Sequence, residues 1–204
     1  MPEEPDWLAG KRAETSVPVH PLIADRWSPR ALDPGAEVPL EHLRALFEAA
    51  RWAASHGNTQ PGRYLVGRRG DDTFQRIFST LRPGNQSWAG SAGALLLGMV
   101  RTVDKRGPIP NAEYGLGLAV QNLVLQAVSL GLVTHQMGGF DREAVHAAFD
   151  LPPDVRPVVV VAIGTVGDVE DLPEDLRGRE VAGRLRRPLG ELVFTGEWGT
   201  PAFE

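Results

Sequence analysis

The chain has 204 residues, 42% of them apolar, and a formal net charge of −5. A domain of this size buries roughly 70% of its unfolded surface, so the apolar share is enough for one core. No run approaches the ~18 apolar residues of a membrane span, the opening MPEEPDW is acidic where a secretion signal is basic and then apolar, and the acidic balance opposes a nucleic-acid footprint. A soluble, cytoplasmic protein with neither a membrane nor a nucleic-acid partner is expected.

In chain order, residues 1–20 are rich in proline and acids without an apolar period, and they are expected to form an arm with no core of its own. In PLEHLRALFEAARWAAS, Leu40, Leu43, Leu46, Phe47 and Ala50 recur at helical spacing, which predicts an amphipathic helix ended by Gly57. After the polar HGNTQPG, RYLVG reads as a short strand, Asp72 to Leu81 as an amphipathic helix and Pro83-Gly84 as a turn. GALLLGMV is apolar at nearly every position, the pattern of a strand covered on both faces. Residues 115–130, GLGLAVQNLVLQAVSL, are too long for a strand and apolar nearly all round, so a central buried helix stopped by Gly131 is expected. LVTHQM and PVVVVAIG are further strands, separated by a short helix that Asp141 is placed to cap. An Arg-rich segment and a Gly/Trp/Pro-rich tail finish the chain. With no internal repeat, the organisation is a single α+β domain over residues 21–204, with a central mixed sheet flanked by helices and extended termini.

Several chemistries are excluded. There is no cysteine, which removes disulfides, thiolate nucleophiles and iron–sulfur ligation, and the five histidines lack metal-ligand spacing, so no metal is expected. A P-loop is absent, Gly115-Leu116-Gly117 is followed by Val120 where a dinucleotide fingerprint needs a small residue, and Ser91 lacks the first glycine of a nucleophile elbow. No side chain is therefore assigned a nucleophilic role.

Three polar segments remain: Arg26-Trp27-Ser28-Pro29-Arg30, Ser55-His56-Gly57-Asn58-Thr59-Gln60-Pro61, and Arg184-Leu185-Arg186-Arg187. Each carries arginine, hydroxyl or amide groups, the equipment for a phosphate and the polar rim of a planar heterocycle. In their order, and with the block LGLAVQNLVLQAVSLGLVTHQMGGFD, they resemble the FMN-dependent nitroreductase family from about Arg26 to Phe194. The resemblance implies a nitroreductase-like fold and a homodimer with FMN at the subunit interface. It also implies reduction of FMN by NADH or NADPH, followed by ping-pong transfer to an electron-poor acceptor such as a nitroaromatic or quinone.

Position by position, the resemblance implies that Arg26, Trp27, Ser28 and Arg30 hold FMN, with Arg30 tuning the reduced ring electrostatically. Arg184 and Arg186, with Arg187 beside them, match a basic pair near the phosphate. Ser55, Asn58 and Gln60 match a segment reaching FMN from the partner subunit, and Gly138 and Gly139 match the turn along the isoalloxazine. The chain departs from the family pattern at His56, at Gly62 where a tryptophan is common, and at Gly115 where an acid is common. Two alternatives stay open: a specialised flavin enzyme of the same family (dehalogenation, enal reduction, flavin breakdown or tailoring oxidation), or a non-catalytic flavin-binding or sensing protein. His135, next to an apolar turn, is expected to be a hydrogen-bonded structural histidine.

Overall fold

The apolar run ALLLGMVR forms a strand, β2 (Ala94–Arg101), in which every residue from Ala94 to Val100 is buried. The computed structural model describes residues 6–203. It flanks this strand with β1 (Gly62–Arg68) and β6 (Val155–Gly164), and β5 (Val133–Met137) pairs with the far side of the latter, giving the order β1-β2-β6-β5. Two-residue strands β3 (Val103–Asp104) and β4 (Gly107–Pro108) form a separate ribbon.

The sheet corrects one expectation. It is antiparallel in all three pairings rather than mixed. The connections explain this. A parallel neighbour requires a crossover that carries the chain back along the whole strand. Here Arg68 pairs with Ala94, so the chain re-enters the sheet at the end where it left, after only the short helices α4 (Asp72–Ser79) and α5 (Pro83–Ala89). Helix α7 (Arg142–Phe149) likewise returns the chain on the side where β5 finished, because Met137 pairs with Val160 and β6 begins beyond it.

Strand alternation divides the core. Leu95, Leu97, Val160 and Ala162 pack with Phe74, Ile77, Trp88, Phe140 and Val145 on one face. Ala94, Leu96, Val161 and Ile163 pack on the other with Leu43 and Leu46 of α3 (Leu40–Arg51) and Leu116 and Leu123 of α6 (Ala112–Ser129). Each such buried side chain contributes roughly 1.5–3 kcal/mol, so the sheet is a rigid platform for whatever lies at its rim. α4 crosses β1 so closely that a Cβ on Gly67 would lie 2.1 Å from the Phe74 amide nitrogen, and only glycine fits there. The central helix ends as expected: Gly131 takes φ +71 and the Leu132 amide donates to the Ala127 carbonyl at 2.9 Å.

Local boundaries differ in two places. α3 stops at Arg51 rather than Gly57, because the apolar stripe loses its buried partner after Ala50: Trp52 lies exposed, its indole donating to Glu48 at 3.0 Å. Pro83 opens helix α5 instead of a turn, since its missing N–H is not needed in a first helical turn. The arm, of which residues 1–5 lie outside the described residues, is docked rather than free. Trp7 of α1 (Asp6–Ala9) meets Trp27 edge-on at 5.9 Å, and the Ala13 amide donates to Ala24 of α2 (Pro21–Asp25) at 2.9 Å.

Candidate functional site

The loop that follows α2 is bound to the rim of the sheet. The Asp33 amide donates to the Thr165 carbonyl, the Gly167 amide donates to the Ala31 carbonyl, and Leu32 bridges Val166 just beyond β6. From β5, His135 Nδ1–H donates to the Pro29 carbonyl at 3.0 Å and Gln136 accepts from Ser28 Oγ at 3.4 Å. These contacts present Arg26, Trp27, Ser28 and Arg30 along one wall of a cavity of about 250 Å³. The opposite wall is the end of α8 (Glu174–Val181) and the segment after it, which supply Arg179, Arg184 and Arg186.

The cavity gathers six cationic side chains, including Lys11 from the arm, against a single carboxylate, Glu180. Burial, and after it the neighbouring Arg184 and Arg186, pull Arg26 below the usual arginine range. Arg184 is lowered by burial and then by Arg186, and Arg30 by burial and then by Arg179. Guanidiniums lowered by burial and by neighbouring cations are ones whose charge a bound anion would stabilise. Among the described residues, Arg26, Arg184 and Arg186 form no ion pair. Arg26 donates to Ser28 Oγ at 3.2 Å, Arg184 donates to the carbonyls of Lys11 and Ala24 at 2.8 and 2.7 Å, and Arg186 donates to the carbonyl of Leu185.

Ser55 and Gln60 lie elsewhere. They line a second cavity, about 300 Å³, between α3, β1 and α6, with Phe47, Tyr64, Gly62 and Gly115. The two cavities share no lining residue. Around the second, Gly57, Asn58 and Gln60 take φ of +51, +55 and +47, and the Gln60 amide donates to Ser55 Oγ at 3.0 Å. Left-handed backbone at non-glycine residues costs on the order of 1 kcal/mol or more each and concentrates at functional segments. Thr59 Oγ1 is buried there without a partner.

The sequence model of the nitroreductase family matches residues 23–79 and 68–165, which include the Arg26–Arg30 and Ser55–Gln60 segments. The chain belongs to the nitroreductase family. A Mycolicibacterium smegmatis protein described as an uncharacterized 15.4 kDa protein is 39% identical over 147 residues, covering 68% of this chain and 99% of its own. Among solved structures, an oxidoreductase containing FMN superposes with a TM-score of 0.84 at 35% identity, covering 91% of this chain and 95% of its own. A protein of Desulfovibrio desulfuricans solved in complex with FMN is 25% identical, with a TM-score of 0.68 and coverage of 90% and 99%.

Within this nitroreductase-family fold, the remaining expected site residues fall outside the arginine cavity. Arg187 points away and pairs with Glu191 at 3.0 Å, an exposed i,i+4 contact that fixes it on the surface turn. Gly138 and Gly139 join β5 to α7, and the Gly139 carbonyl accepts from the Arg82 amide at 3.0 Å and Asn85 Nδ2 at 2.9 Å. Neither glycine has a positive φ, and a Cβ on exposed Gly138 would meet nothing within 4 Å. The chain itself therefore does not require glycine at 138. His135 is held as expected: its ring lies 4.6 Å from Trp88, and burial outweighs its hydrogen bonds and brings its pKa down to about 4. It is neutral at pH 7.

Sequence reasoning missed Lys11, Arg179, Glu180 and Gln136. Lys11 carried one signal, since it is one of only two lysines among 21 basic residues. Among the described residues no helix is long and apolar enough to cross a membrane.

Proposed function

We propose that the protein is an FMN-dependent oxidoreductase that oxidises NADH or NADPH and reduces an electron-poor organic acceptor, with each FMN held between two copies of the chain. The observation that carries this reading is the arginine cavity: the partly buried Arg26 and Arg184 and the exposed Arg186, none of them in an ion pair among the described residues, beside a hydroxyl and an indole. A phosphate dianion matches that donor set, because guanidinium-phosphate contacts are charge-assisted and its two charges offset the mutual repulsion of Arg26, Arg184 and Arg186.

FMN, when bound, would supply the redox chemistry between the nicotinamide and the acceptor. Arg26, Arg184 and Arg186 hold the phosphate, and Ser28, already oriented by Arg26 and Gln136, offers its hydroxyl to the ribityl chain. Arg30 is the cation for the pyrimidine edge, where it stabilises negative charge.

The separation of the two cavities supports assembly between two chains. Ser55, Asn58 and Gln60 stand apart from the arginines within one chain, so one FMN touching both sets draws them from different copies. Purified protein supplied with FMN is expected to show a bound-flavin absorption spectrum that bleaches within seconds when NADH or NADPH is added anaerobically. Protein that takes up no flavin would overturn the proposal, and bound flavin that neither nucleotide bleaches would exclude the reductase reaction.

A further inference from the structure

Glu180 is the one carboxylate in the arginine cavity, and it is 1% exposed. Its Oε1 accepts from two backbone amides of the opposite wall, Arg30 N at 2.7 Å and Ala31 N at 3.0 Å. Its Oε2 is buried with no hydrogen-bond partner and stands 3.8 Å from Arg30 Nη1. The same residue's carbonyl accepts from Lys11 Nζ, which also donates to the Ala182 carbonyl at 2.6 Å. One residue thus ties together the arm, the Arg26–Arg30 loop and the end of α8.

Buried carboxylate oxygens are ordinarily paired, because an unmatched one forfeits its hydration. Here one oxygen is spent on the loop backbone and the other stands in a loose ion pair with Arg30, without a hydrogen bond, inside a cavity lined by cations. Such a group lowers the repulsion among the arginines without consuming the guanidinium donors that a ligand needs. A hydrogen bond closed on Arg30 would have consumed one.

We propose that Glu180 is the internal counter-anion of the cofactor pocket, a positioning residue that holds the pocket together before the cofactor arrives and whose charge opposes that of the incoming phosphate. This rests on the FMN reading above. The phosphate takes over the charge-balancing role, so the carboxylate stabilises the apoprotein and weakens cofactor binding. Those two effects have opposite signs, which a merely structural residue does not produce.

The test compares Glu180→Gln and Glu180→Asp with the wild-type protein, all purified with FMN present and then stripped. Glu180→Gln keeps an amide oxygen for the Arg30 and Ala31 amides and removes the charge. Its apoprotein is expected to melt lower, while FMN binds about threefold more tightly or better and with a steeper salt dependence. Glu180→Asp retains the charge and shortens the reach, so it is expected to melt lower while the FMN affinity and salt dependence stay near wild type. Weaker or unchanged FMN binding by Glu180→Gln, or failure of that variant to fold even with FMN, would overturn the proposal. If the wild-type protein binds no FMN, the functional reading fails by itself. Inorganic phosphate then replaces FMN, and tighter phosphate binding by Glu180→Gln upholds the counter-anion role while its absence refutes it.

Discussion

The arginine cavity and the cavity beside Ser55 and Gln60 are built on opposite principles. The arginine cavity is polar and crowded with like charge, and its walls come from three segments of the chain: Lys11, the Arg26–Arg30 loop, and residues 179–186. The cavity beside Ser55 and Gln60 is mainly apolar, shaped by Phe47, Ala119, Gly62 and Gly115, and bordered by a segment with three left-handed residues. The larger cavity is therefore not the one with the electrostatic demand for a ligand. Unpaired charge supports the proposed anion site, whereas backbone strain beside the other cavity supports the proposed contact with a second chain.

The largest effect should come from the side chain that both shapes and charges the first cavity. Arg184 binds the Lys11 and Ala24 carbonyls as well as facing the cavity. Arg184→Ala is expected to lower FMN affinity about a hundredfold, roughly 2.7 kcal/mol, and to lower the melting temperature as the arm loosens. Arg186 donates only to its neighbour's carbonyl, so Arg186→Ala should cost about tenfold in affinity, ~1.4 kcal/mol, with little change in melting. Flavin-fluorescence titration and thermal melts of the two variants separate these effects. Equal melting losses, or an unaltered dissociation constant for either variant, would break the contrast.

A separate effect, on stability rather than on FMN affinity, comes from His135, which fastens Pro29 beneath the loop. Burial holds its pKa at about 4 in the folded chain, below the ordinary histidine value of 6.5. Between these values the unfolded chain binds a proton that the folded chain does not, so this residue makes stability fall as pH drops from about 6.5 towards 4. The full loss is about 3 kcal/mol. His135→Gln should flatten that part of the stability profile, measured by denaturant unfolding at a series of pH values, without altering the slope above pH 7. An unchanged slope from pH 6.5 to 4 would contradict the neutral, buried assignment.

Legibility in the sequence followed the range of the interactions. The strand in GALLLGMV, the central helix expected over 115–130 and found over 112–129, and the Asp141 cap depend on local pattern and could be read directly. The antiparallel direction of the sheet depends on where each helical connection returns, which periodicity does not encode. Arg26, Ser28, Arg30, Arg184 and Arg186 stood out as short polar motifs, and the fold brings them to one cavity. Glu180 and Lys11 did not, because their contacts span 149 to 171 residues and have no local signature. Arg187 looked like its neighbours in sequence but turns outward to Glu191.

The joining of the two regions across copies of the chain can be tested by subunit complementation. Arg186→Ala damages only the arginine cavity, and Asn58→Gly keeps the left-handed backbone while removing the amide of the other region. Each variant alone should bind FMN weakly. When the two are unfolded together and refolded as a mixture, half of the dimers should be mixed, and one of the two sites in each mixed dimer carries both wild-type halves. About a quarter of all sites should then regain wild-type FMN affinity. Recovery near that fraction is the expected result; no recovery above the two variants measured separately would contradict a site shared between chains.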